Sequence, residues 1–264
     1  VAGSTNAVLH ILSYAYELGI KLTLADFEKY AKEIPCINAV VPSGPYTVVD
    51  FHYAGGVMNV MKMLESKLYT DVPSMYGNTW ADMLSRVKAQ ENKVIHSLEK
   101  PLFNEPGLKI LRGNLSPNGA IVRPTAVYDE VKYMKGKAKV FEGDRPAFEA
   151  IMAGEIVPGD IIVIRYEGCK GAPGMKELML SIDALIGLGL DKSVGLISDA
   201  RFSGFNYGAI IGHVSPEAYD GGNIALVENG DEIVIDIPNG EVSMLVSEEE
   251  LERRRAAWVC PPLK

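Results

Sequence analysis

The pattern of apolar positions changes from a helical period to a strand period near residue 100. Apolar residues at positions 8, 11, 12, 15 and 18 fit one face of a helix. Thr23-Leu24-Ala25-Asp26 resembles a capping box, which predicts a helix ending at about Glu33. The spacing predicts further helices over 57–66 and 78–92, with proline- and glycine-rich loops between them. Residues 6–95 are therefore predicted to be mostly helical.

From residue 108 onward the apolar residues tend to alternate, as they do in strands. Short helices are predicted at about 144–153 and 176–188, and a last helix begins at Ser247 and runs to Trp258. Many short strands with few helices favour a barrel-like β/α domain over 101–264, which gives an α/β (α+β) fold class. The predicted strands are 108–111, 120–123, 138–141, 161–166, 194–197, 224–227, 232–237 and 242–246.

Composition narrows the class of protein. The 264 residues carry a formal net charge of −8 and are 47% hydrophobic, which is typical of a globular chain with a real core. The acidic balance argues against binding to nucleic acid or to an anionic membrane surface. No apolar run approaches the roughly 18 residues of a membrane span. Three cysteines do not make a disulfide framework, so a cytoplasmic location is expected.

One candidate site follows the β-branched strand 161–166. The loop Glu167–Glu177 contains three glycines and a proline, and Glu167, Lys170 and Glu177 bring charges of both signs to it. The backbone of such a loop can approach a ligand or another segment closely, and its N–H groups could hold an anion. A tight strand-to-helix connection with solvated charges explains the composition equally well.

A second candidate site follows the predicted strand 194–197, where the chain reads Ser198-Asp199-Ala200-Arg201-Phe202-Ser203-Gly204. Ser203 could be a nucleophile, a base or only a turn former. His213 is the nearest histidine that could assist it. By itself this pattern favours a turn serine.

The sequence does not match the motifs of zinc-binding or dinucleotide-binding sites. His10, His52, His96 and His213 are far apart in sequence, as are the three cysteines, and no CxxC or HExxH motif exists. Gly187-Leu188-Gly189 lacks the third glycine and the preceding strand of a dinucleotide-binding fingerprint. Neither a structural zinc site nor a dinucleotide site is expected.

At the two loops, however, the sequence resembles the iron–sulfur dehydratases that act on dihydroxy acids, aldonates and phosphogluconate. The similarity covers nearly the whole chain and keeps the family's order. The matching runs are Gly3–His10, Asp50–Gly56, Gly113–Gly119, Arg165–Gly171 with Pro173-Gly174-Met175, Asp199–Gly204, Gly212–Ala218 and Arg253–Trp258.

The resemblance implies a hydro-lyase that converts a 2,3-dihydroxy carboxylate to a 2-keto acid. It assigns the proton-abstracting base to Ser203 and a magnesium ligand to Glu177. Met175, Gly174 and Lys170 are expected to bind substrate, with Glu167 and His213 as supporting residues behind them. The cofactors implied are magnesium and an iron–sulfur cluster.

The same resemblance implies that the chain is the carboxyl-terminal half of the enzyme. The family's cluster cysteines and remaining magnesium ligands precede the Gly3–Asn6 run, and Cys36, Cys169 and Cys260 match none of its cluster motifs. Residues 1–100 would be the helical tail of the amino-terminal cluster domain, and 101–264 the swivelling domain. The expected partners are the missing half, a small dihydroxy acid and a second copy in a homodimer or tetramer.

The motifs of this chain resemble two branches of the family that act on different substrates. The runs Asp50–Gly56, 167–170 and 198–201 look like the aldonate (sugar-acid) branch. The runs Ile182–Leu190 and Ile211–Ala218 look like the dihydroxy-acid branch of valine and isoleucine synthesis, and Ala7–His10 argues against the phosphogluconate branch. We expect a dihydroxy-acid dehydratase, with an aldonate dehydratase as one alternative and a non-catalytic stand-alone module as another.

Overall fold

The computed structural model describes residues 3–263, which form two compact units. One unit comprises residues 31–107, and the other comprises residues 3–30 together with the chain from 108 onward. The helices are α1 (Asn6–Glu17), α2 (Leu24–Glu33), α3 (Val48–Tyr53), α4 (Gly56–Met63), α5 (Trp80–Ser85), α6 (Asp144–Met152), α7 (Leu180–Gly187) and α8 (Glu248–Ala257). The strands are β1 (Lys109–Gly113), β2 (Ser116–Val122), β3 (Tyr133–Phe141), β4 (Ile161–Ile164), β5 (Glu177–Leu178), β6 (Gly195–Ser198), β7 (Arg201–Phe202), β8 (Ile210–Ser215), β9 (Glu232–Asp236) and β10 (Glu241–Met244).

The larger unit is built on a closed eight-stranded barrel in the order β1-β10-β9-β3-β4-β6-β8-β2. Strands β3, β4, β6 and β8 run parallel to one another. Strand β2 pairs antiparallel with β1 and β8, and β9 pairs antiparallel with β3 and β10. A small parallel pair, β5 with β7, lies outside the barrel sheet. The mixed helix and strand content and the closed sheet agree with the predicted α/β class.

Strand β4 is buried on both faces of the barrel sheet. Its four residues are all β-branched and fully buried. Ile161 and Val163 belong to the core inside the barrel, whereas Ile162 and Ile164 belong to a second core that includes residues of α6 and α7. Because side chains alternate along a strand, a run that is apolar at every position is expected where both faces are covered.

The first two helices group with the barrel rather than with the residues that follow them. Val8 of α1 forms a core cluster with Ile110 and Ile121 of the barrel, and Leu24 and Phe27 pack against it. The backbone N–H and hydroxyl of Thr23 both donate to the Asp26 carboxylate at the start of α2. The units in the structure are thus composed differently from the predicted division at residue 100, because periodicity does not report what covers a helix. The domain roles stay predictions.

The smaller unit contains α3, α4 and α5. Its core includes Ile37, Val60, Leu64, Val94 and Ile95. Thr47 with Asp50 and Thr79 with Asp82 form reciprocal capping boxes that start α3 and α5. These caps explain where the short helices begin.

Several predicted elements differ from those observed. The strand predicted at 224–227 is a 3-10 turn, Asn223–Leu226, and strand β8 was not predicted. The helix predicted over 176–188 begins only at Leu180, because Glu177 and Leu178 pair with β7 instead. The helix predicted over 78–92 ends at Ser85. Within residues 3–263, none of the helices has both the length and the apolar character that crossing a membrane requires.

Candidate functional site

The β5–β7 pair brings the two motif loops together. Glu177 stands opposite Arg201, and Leu178 stands opposite Phe202, in a parallel register. Ser203 follows Phe202 directly, so the predicted magnesium ligand lies in β5 and the predicted base lies just after the paired strand β7, 26 positions further along the chain. The chemical roles of both residues stay predictions.

The Glu177 carboxylate is held by donors from two other segments. Its Oε1 accepts a hydrogen bond of 2.6 Å from Asn6 Nδ2 in the first turn of α1. The guanidinium of Arg201 reaches the same oxygen at 3.3 Å. Arg201 Nε also donates to the carbonyl of Met175, which ties the loop before Glu177 to β7. These contacts keep a half-buried carboxylate in one place without enclosing it.

The Ser203 loop is fixed by a buried arginine. Arg123 NH1 donates to the carbonyl of Gly204 at 2.8 Å, and its NH2 donates to the carbonyl of Gly3. The Ser203 hydroxyl accepts a hydrogen bond of 3.2 Å from the backbone N–H of Phe205. A donor aimed at this oxygen favours its ionised form over the neutral hydroxyl. The planar guanidinium thus links the segment before α1 to the loop that carries Ser203.

Two backbone N–H groups of the loop 167–177 bind a carboxylate of the same chain. The Glu217 carboxylate accepts hydrogen bonds of 3.0 Å from the backbone of both Lys170 and Gly171. A Cβ at Gly168 would lie only 2.6 Å from a Glu217 oxygen, so this position requires glycine. The sequence left open whether this loop holds an anion or is only a tight connection. Two of its N–H groups do hold an anion, and that anion is a carboxylate of the chain itself, 46 positions onward from Gly171.

A second carboxylate of the chain, Asp199, binds backbone N–H groups at the start of the same loop. It accepts hydrogen bonds from the backbone N–H groups of Tyr166, Glu167 and Ala218, at 2.9–3.1 Å. Burial raises the pKa of Asp199 to about 6, the three N–H donors oppose the shift, and the nearby Glu217 adds to it. Tyr166 has a φ of 63°, an uncommon conformation for a tyrosine, and the Asp199 bond to its N–H fixes this turn.

The other residues predicted for this loop have definite partners. Met175 is buried with a φ of 41°, and its sulfur lies 3.3 Å from that of Cys169. Gly174 has a φ of 87° and open space beside it. The exposed Lys170 ammonium pairs with Asp220, which raises the pKa of Lys170. The buried Glu167 carboxylate lies 3.5 Å from the Lys176 ammonium. Their predicted roles in binding or support stay predictions.

His213 lies in β8, next to Phe202 of β7. Its ring meets that of Phe202 edge to face, with 6.2 Å between centroids. Burial lowers its pKa to about 4, and the positive charges of Arg201 and His10 lower it further. The imidazole is therefore neutral at pH 7, and its buried Nε2 has no hydrogen-bond partner among residues 3–263.

Metal-ligating side chains are not clustered in the described part of the chain. No group of three or more His, Cys, Asp or Glu residues that could hold an ion is found within residues 3–263. Cys36 is buried in the smaller unit, whereas Cys169 and Cys260 are exposed in the larger one. Glu177 would thus need ligands from elsewhere to complete a magnesium site.

Sequence reasoning missed several residues that organise the site, namely Asn6, Arg123, Arg201, Asp199 and Glu217. Four of them, all except Arg123, lie inside the motif runs of the resemblance, so their positions carried a signal. Their function did not, because each acts on a segment that is remote in sequence. Only the tertiary contacts show which carboxylate meets which donor.

Comparisons with known proteins show which family the sequence is similar to. Residues 93–263 match the family profile "Dihydroxy-acid/6-phosphogluconate dehydratase C-terminal", and residues 1–83 match the corresponding N-terminal profile. Curated relatives named dihydroxy-acid dehydratase include those of Clostridium novyi, 47% identical over 266 residues, and of Pyrobaculum neutrophilum, 46% identical over 268 residues. Each alignment covers 100% of this chain but 48% and 47% of the relative, respectively. The chain therefore spans about half the length of the curated relatives it matches.

Proposed function

The chain belongs to the dihydroxy-acid/6-phosphogluconate dehydratase family, and from this premise we propose that it supplies the base and one metal ligand of a hydro-lyase. The reaction removes water from a 2,3-dihydroxy carboxylate and yields a 2-keto acid. The pairing of β5 with β7 carries the proposal, because it sets Glu177 beside the strand that leads into Ser203.

The substrate proposed is the dihydroxy acid of branched-chain amino acid biosynthesis. The relatives named above carry the name dihydroxy-acid dehydratase, and their similarity extends through both motif loops. The aldonate-like runs at 50–56 and 198–201 keep sugar-acid dehydration as the second candidate.

Ser203 is the group proposed to take the proton from C2 of the substrate. An ordinary serine hydroxyl is a very weak base, so its ionised form needs stabilisation. The backbone N–H of Phe205, 3.2 Å from the Ser203 oxygen, supplies one fixed donor for that charge. The electrons of the broken C2–H bond form the C2=C3 double bond as the C3–O bond breaks. The departing hydroxide and the proton taken by Ser203 together make up the water that is lost, and the enol that remains tautomerises to the keto acid.

Glu177 is the residue proposed to hold magnesium. Mg²⁺ prefers oxygen ligands, and one or two carboxylates are its usual protein donors. The observed site fits this demand, because Glu177 Oε2 makes no hydrogen bond or ion pair among residues 3–263, and the neighbouring Asn6 Oδ1 is buried without a partner there. A bound magnesium ion supplies positive charge that offsets the substrate carboxylate as it gains electron density.

An iron–sulfur cluster, by contrast, does not fit the residues described. The three cysteines do not come together, and Cys36 belongs to a different unit from the other two. We propose that cluster ligands belong to an amino-terminal part of the enzyme. A cytoplasmic homo-oligomer is proposed on the same family grounds.

The function is tested by turnover in the full-length enzyme that contains this chain. Dihydroxyisovalerate and gluconate are offered side by side, and faster dehydration of dihydroxyisovalerate is expected. Preference for gluconate would move the assignment to the aldonate branch. No turnover of either, by enzyme carrying its full complement of cofactors, would support a non-catalytic module instead.

The base is tested by Ser203→Ala in the same enzyme. Turnover is expected to disappear while the visible absorbance of the enzyme stays unchanged, because the substitution removes only the oxygen that takes the proton. Ser198→Ala is a suitable comparison, since Ser198 is a buried serine whose hydroxyl accepts from the Ala200 N–H. Substantial residual activity of Ser203→Ala would show that another group is the base.

A further inference from the structure

Asn6, the first residue of α1, reaches across 171 positions to the proposed magnesium ligand. Its Nδ2 lies 2.6 Å from Glu177 Oε1 and 3.5 Å from the carbonyl of Phe202. Both neighbours are acceptors, so the amide nitrogen and not the amide oxygen must face them. A hydrogen bond this short to an ionised carboxylate is of the stronger, charge-assisted kind.

The donors around Glu177 are distributed unequally between its two oxygens. Asn6 and Arg201 both contact Oε1, from α1 and from β7 respectively. Within residues 3–263, Oε2 receives no hydrogen bond and no ion pair. One oxygen of the carboxylate is therefore held by two donors, and the other has no protein partner within the described residues.

Arg201 alone would be a poor way of fixing this carboxylate. Its contact with Glu177 is 3.3 Å long and connects two partly exposed side chains, and such pairs contribute little to stability. The Asn6 bond is shorter and comes from the first turn of a helix whose Val8 is buried against the barrel. The rigid element is thus α1, and Asn6 transmits its position to Glu177.

We propose that Asn6 is a positioning residue that orients Glu177 for a divalent cation. The proposal rests on the proposed function, since it takes Glu177 to be the ligand. Residues behind a metal ligand orient it, and their loss typically weakens metal binding by about 10- to 100-fold. It also gives the Gly3–Asn6 motif a chemical task that the reaction scheme leaves unassigned.

The test measures divalent-cation affinity in the full-length enzyme, with Mn²⁺ as the probe and electron paramagnetic resonance as the readout of free ion. Asn6→Ala is expected to raise the Kd for Mn²⁺ about tenfold. The melting temperature and far-ultraviolet circular dichroism report folding separately.

A matched control is Asn239→Ala, which removes the 2.8 Å bond from Asn239 Nδ2 to the Asp236 carboxylate in the turn between β9 and β10. It deletes the same chemical contact elsewhere on the molecule and should leave the Kd for Mn²⁺ unchanged. Equal weakening by Asn239→Ala and Asn6→Ala would overturn the proposal.

Glu177→Gln separates this inference from the proposed function. If Glu177→Gln leaves Mn²⁺ affinity unchanged, Glu177 is not the ligand and the proposed function loses its metal site. If Glu177→Gln weakens binding but Asn6→Ala does not, only the positioning role is overturned. In the double variant, Asn6→Ala should add no further weakening, because it acts through Glu177; additive losses would contradict the inference.

Discussion

Two side chains in the larger unit have pKa values that differ from their ordinary ones. Asp199 is 1% exposed, and its pKa is raised to about 6, first by burial. His213 has a pKa lowered to about 4, also first by burial. A protein becomes less stable with falling pH where its unfolded state binds more protons, and more stable where its folded state does. These two groups therefore act in opposite directions.

The signs follow from the direction of each shift. Between about pH 6.5 and 4, unfolded His213 takes up a proton that the folded protein refuses, so stability is lost as pH falls. Between about pH 6 and 3.8, folded Asp199 takes up a proton that the unfolded chain does not, so stability is gained as pH falls. The contribution of Asp199 thus offsets that of His213 in the same pH window.

Asp199→Asn is expected to remove this offset. Relative to the wild-type chain, its free energy of unfolding should drop by about 3 kcal/mol more at pH 4 than at pH 7. Urea unfolding of both proteins at several pH values measures the difference, in which other titrating groups cancel. If the difference in unfolding free energy between the two proteins does not change with pH, the raised pKa of Asp199 is contradicted.

Arg123 gives a second expectation at this scale. Lysine has one nitrogen and lacks the rigid fork with which Arg123 binds the carbonyls of Gly3 and Gly204. Arg123→Lys should therefore cost about 1–3 kcal/mol of stability and loosen the Ser203 loop. Hydrogen exchange of the Phe205 amide should become faster.

Arg112→Lys is the comparison for Arg123→Lys. Arg112 is a partly exposed arginine that pairs with Glu28, so its replacement should change stability by less than about 1 kcal/mol. Similar exchange at Phe205 in both variants would show that Arg123 does not fix the loop.

At the scale of elements, the half-buried Arg254 helps to attach α8 to the barrel unit. The Arg254 guanidinium binds the Asp231 carboxylate with two hydrogen bonds of 2.6 and 3.0 Å and also donates to the carbonyl of Leu226. Leu251 is buried beside it in the barrel core. After the helix ends, Trp258 Nε1 donates to the Tyr166 hydroxyl at 3.0 Å. The last helix thus contacts the turn that begins the first motif loop.

Adjacent arginines in α8 provide a matched pair of variants. Arg254→Leu leaves the largely buried Asp231 without its partner and should cost about 3 kcal/mol. Arg253→Leu removes a pair between exposed residues and should cost less than about 1 kcal/mol. Midpoints of urea unfolding compare the two, and equal losses would show that Asp231 does not anchor the helix.

At the scale of the whole molecule, each unit leaves apolar side chains exposed. The sequence predicts that apolar helix faces in the first hundred residues stay exposed for a partner, at positions such as Val8, Leu12, Ala15, Met61 and Leu64. That prediction is wrong for these five residues, because all are buried or half-buried. Other residues of the same segments are exposed instead. They are Tyr14, Tyr16, Leu18 and Ile20 in the larger unit, and Val48, Val49, Tyr53 and Val57 in the smaller one.

Such exposed apolar groups lead us to expect that the 264-residue chain associates, with a copy of itself or with an amino-terminal partner. Static light scattering of the isolated chain tests this expectation, and a compact monomer at all concentrations would contradict it.

The isolated chain is also expected to be colourless, free of iron and inactive on either substrate class, because its cysteines are not grouped. Iron analysis and visible spectroscopy check this. Stoichiometric iron–sulfur absorbance would show that the cluster ligands lie within residues 1–264.

The sequence by itself determined most of the local structure and the family. Period-two runs predicted most strands of the barrel, and Thr–Asp spacing predicted where α2 begins, because strand alternation and helix capping depend on residues close together in the chain. Glu177 and Ser203 were singled out by the family resemblance, which rests on contiguous motifs, and their roles stay predictions. Strand β8 was not predicted, and the short β5 and β7 exist only because they pair with each other.

Tertiary structure alone decided what each polar group meets. It placed α1 on the barrel, put Asn6 against Glu177, and filled the glycine-rich loop with the carboxylate of Glu217. These contacts join segments separated by 46 to 171 positions. No local pattern encodes such a pairing, because a carboxylate or an amide has the same sequence signature whether it faces water, a metal ion or a buried backbone N–H.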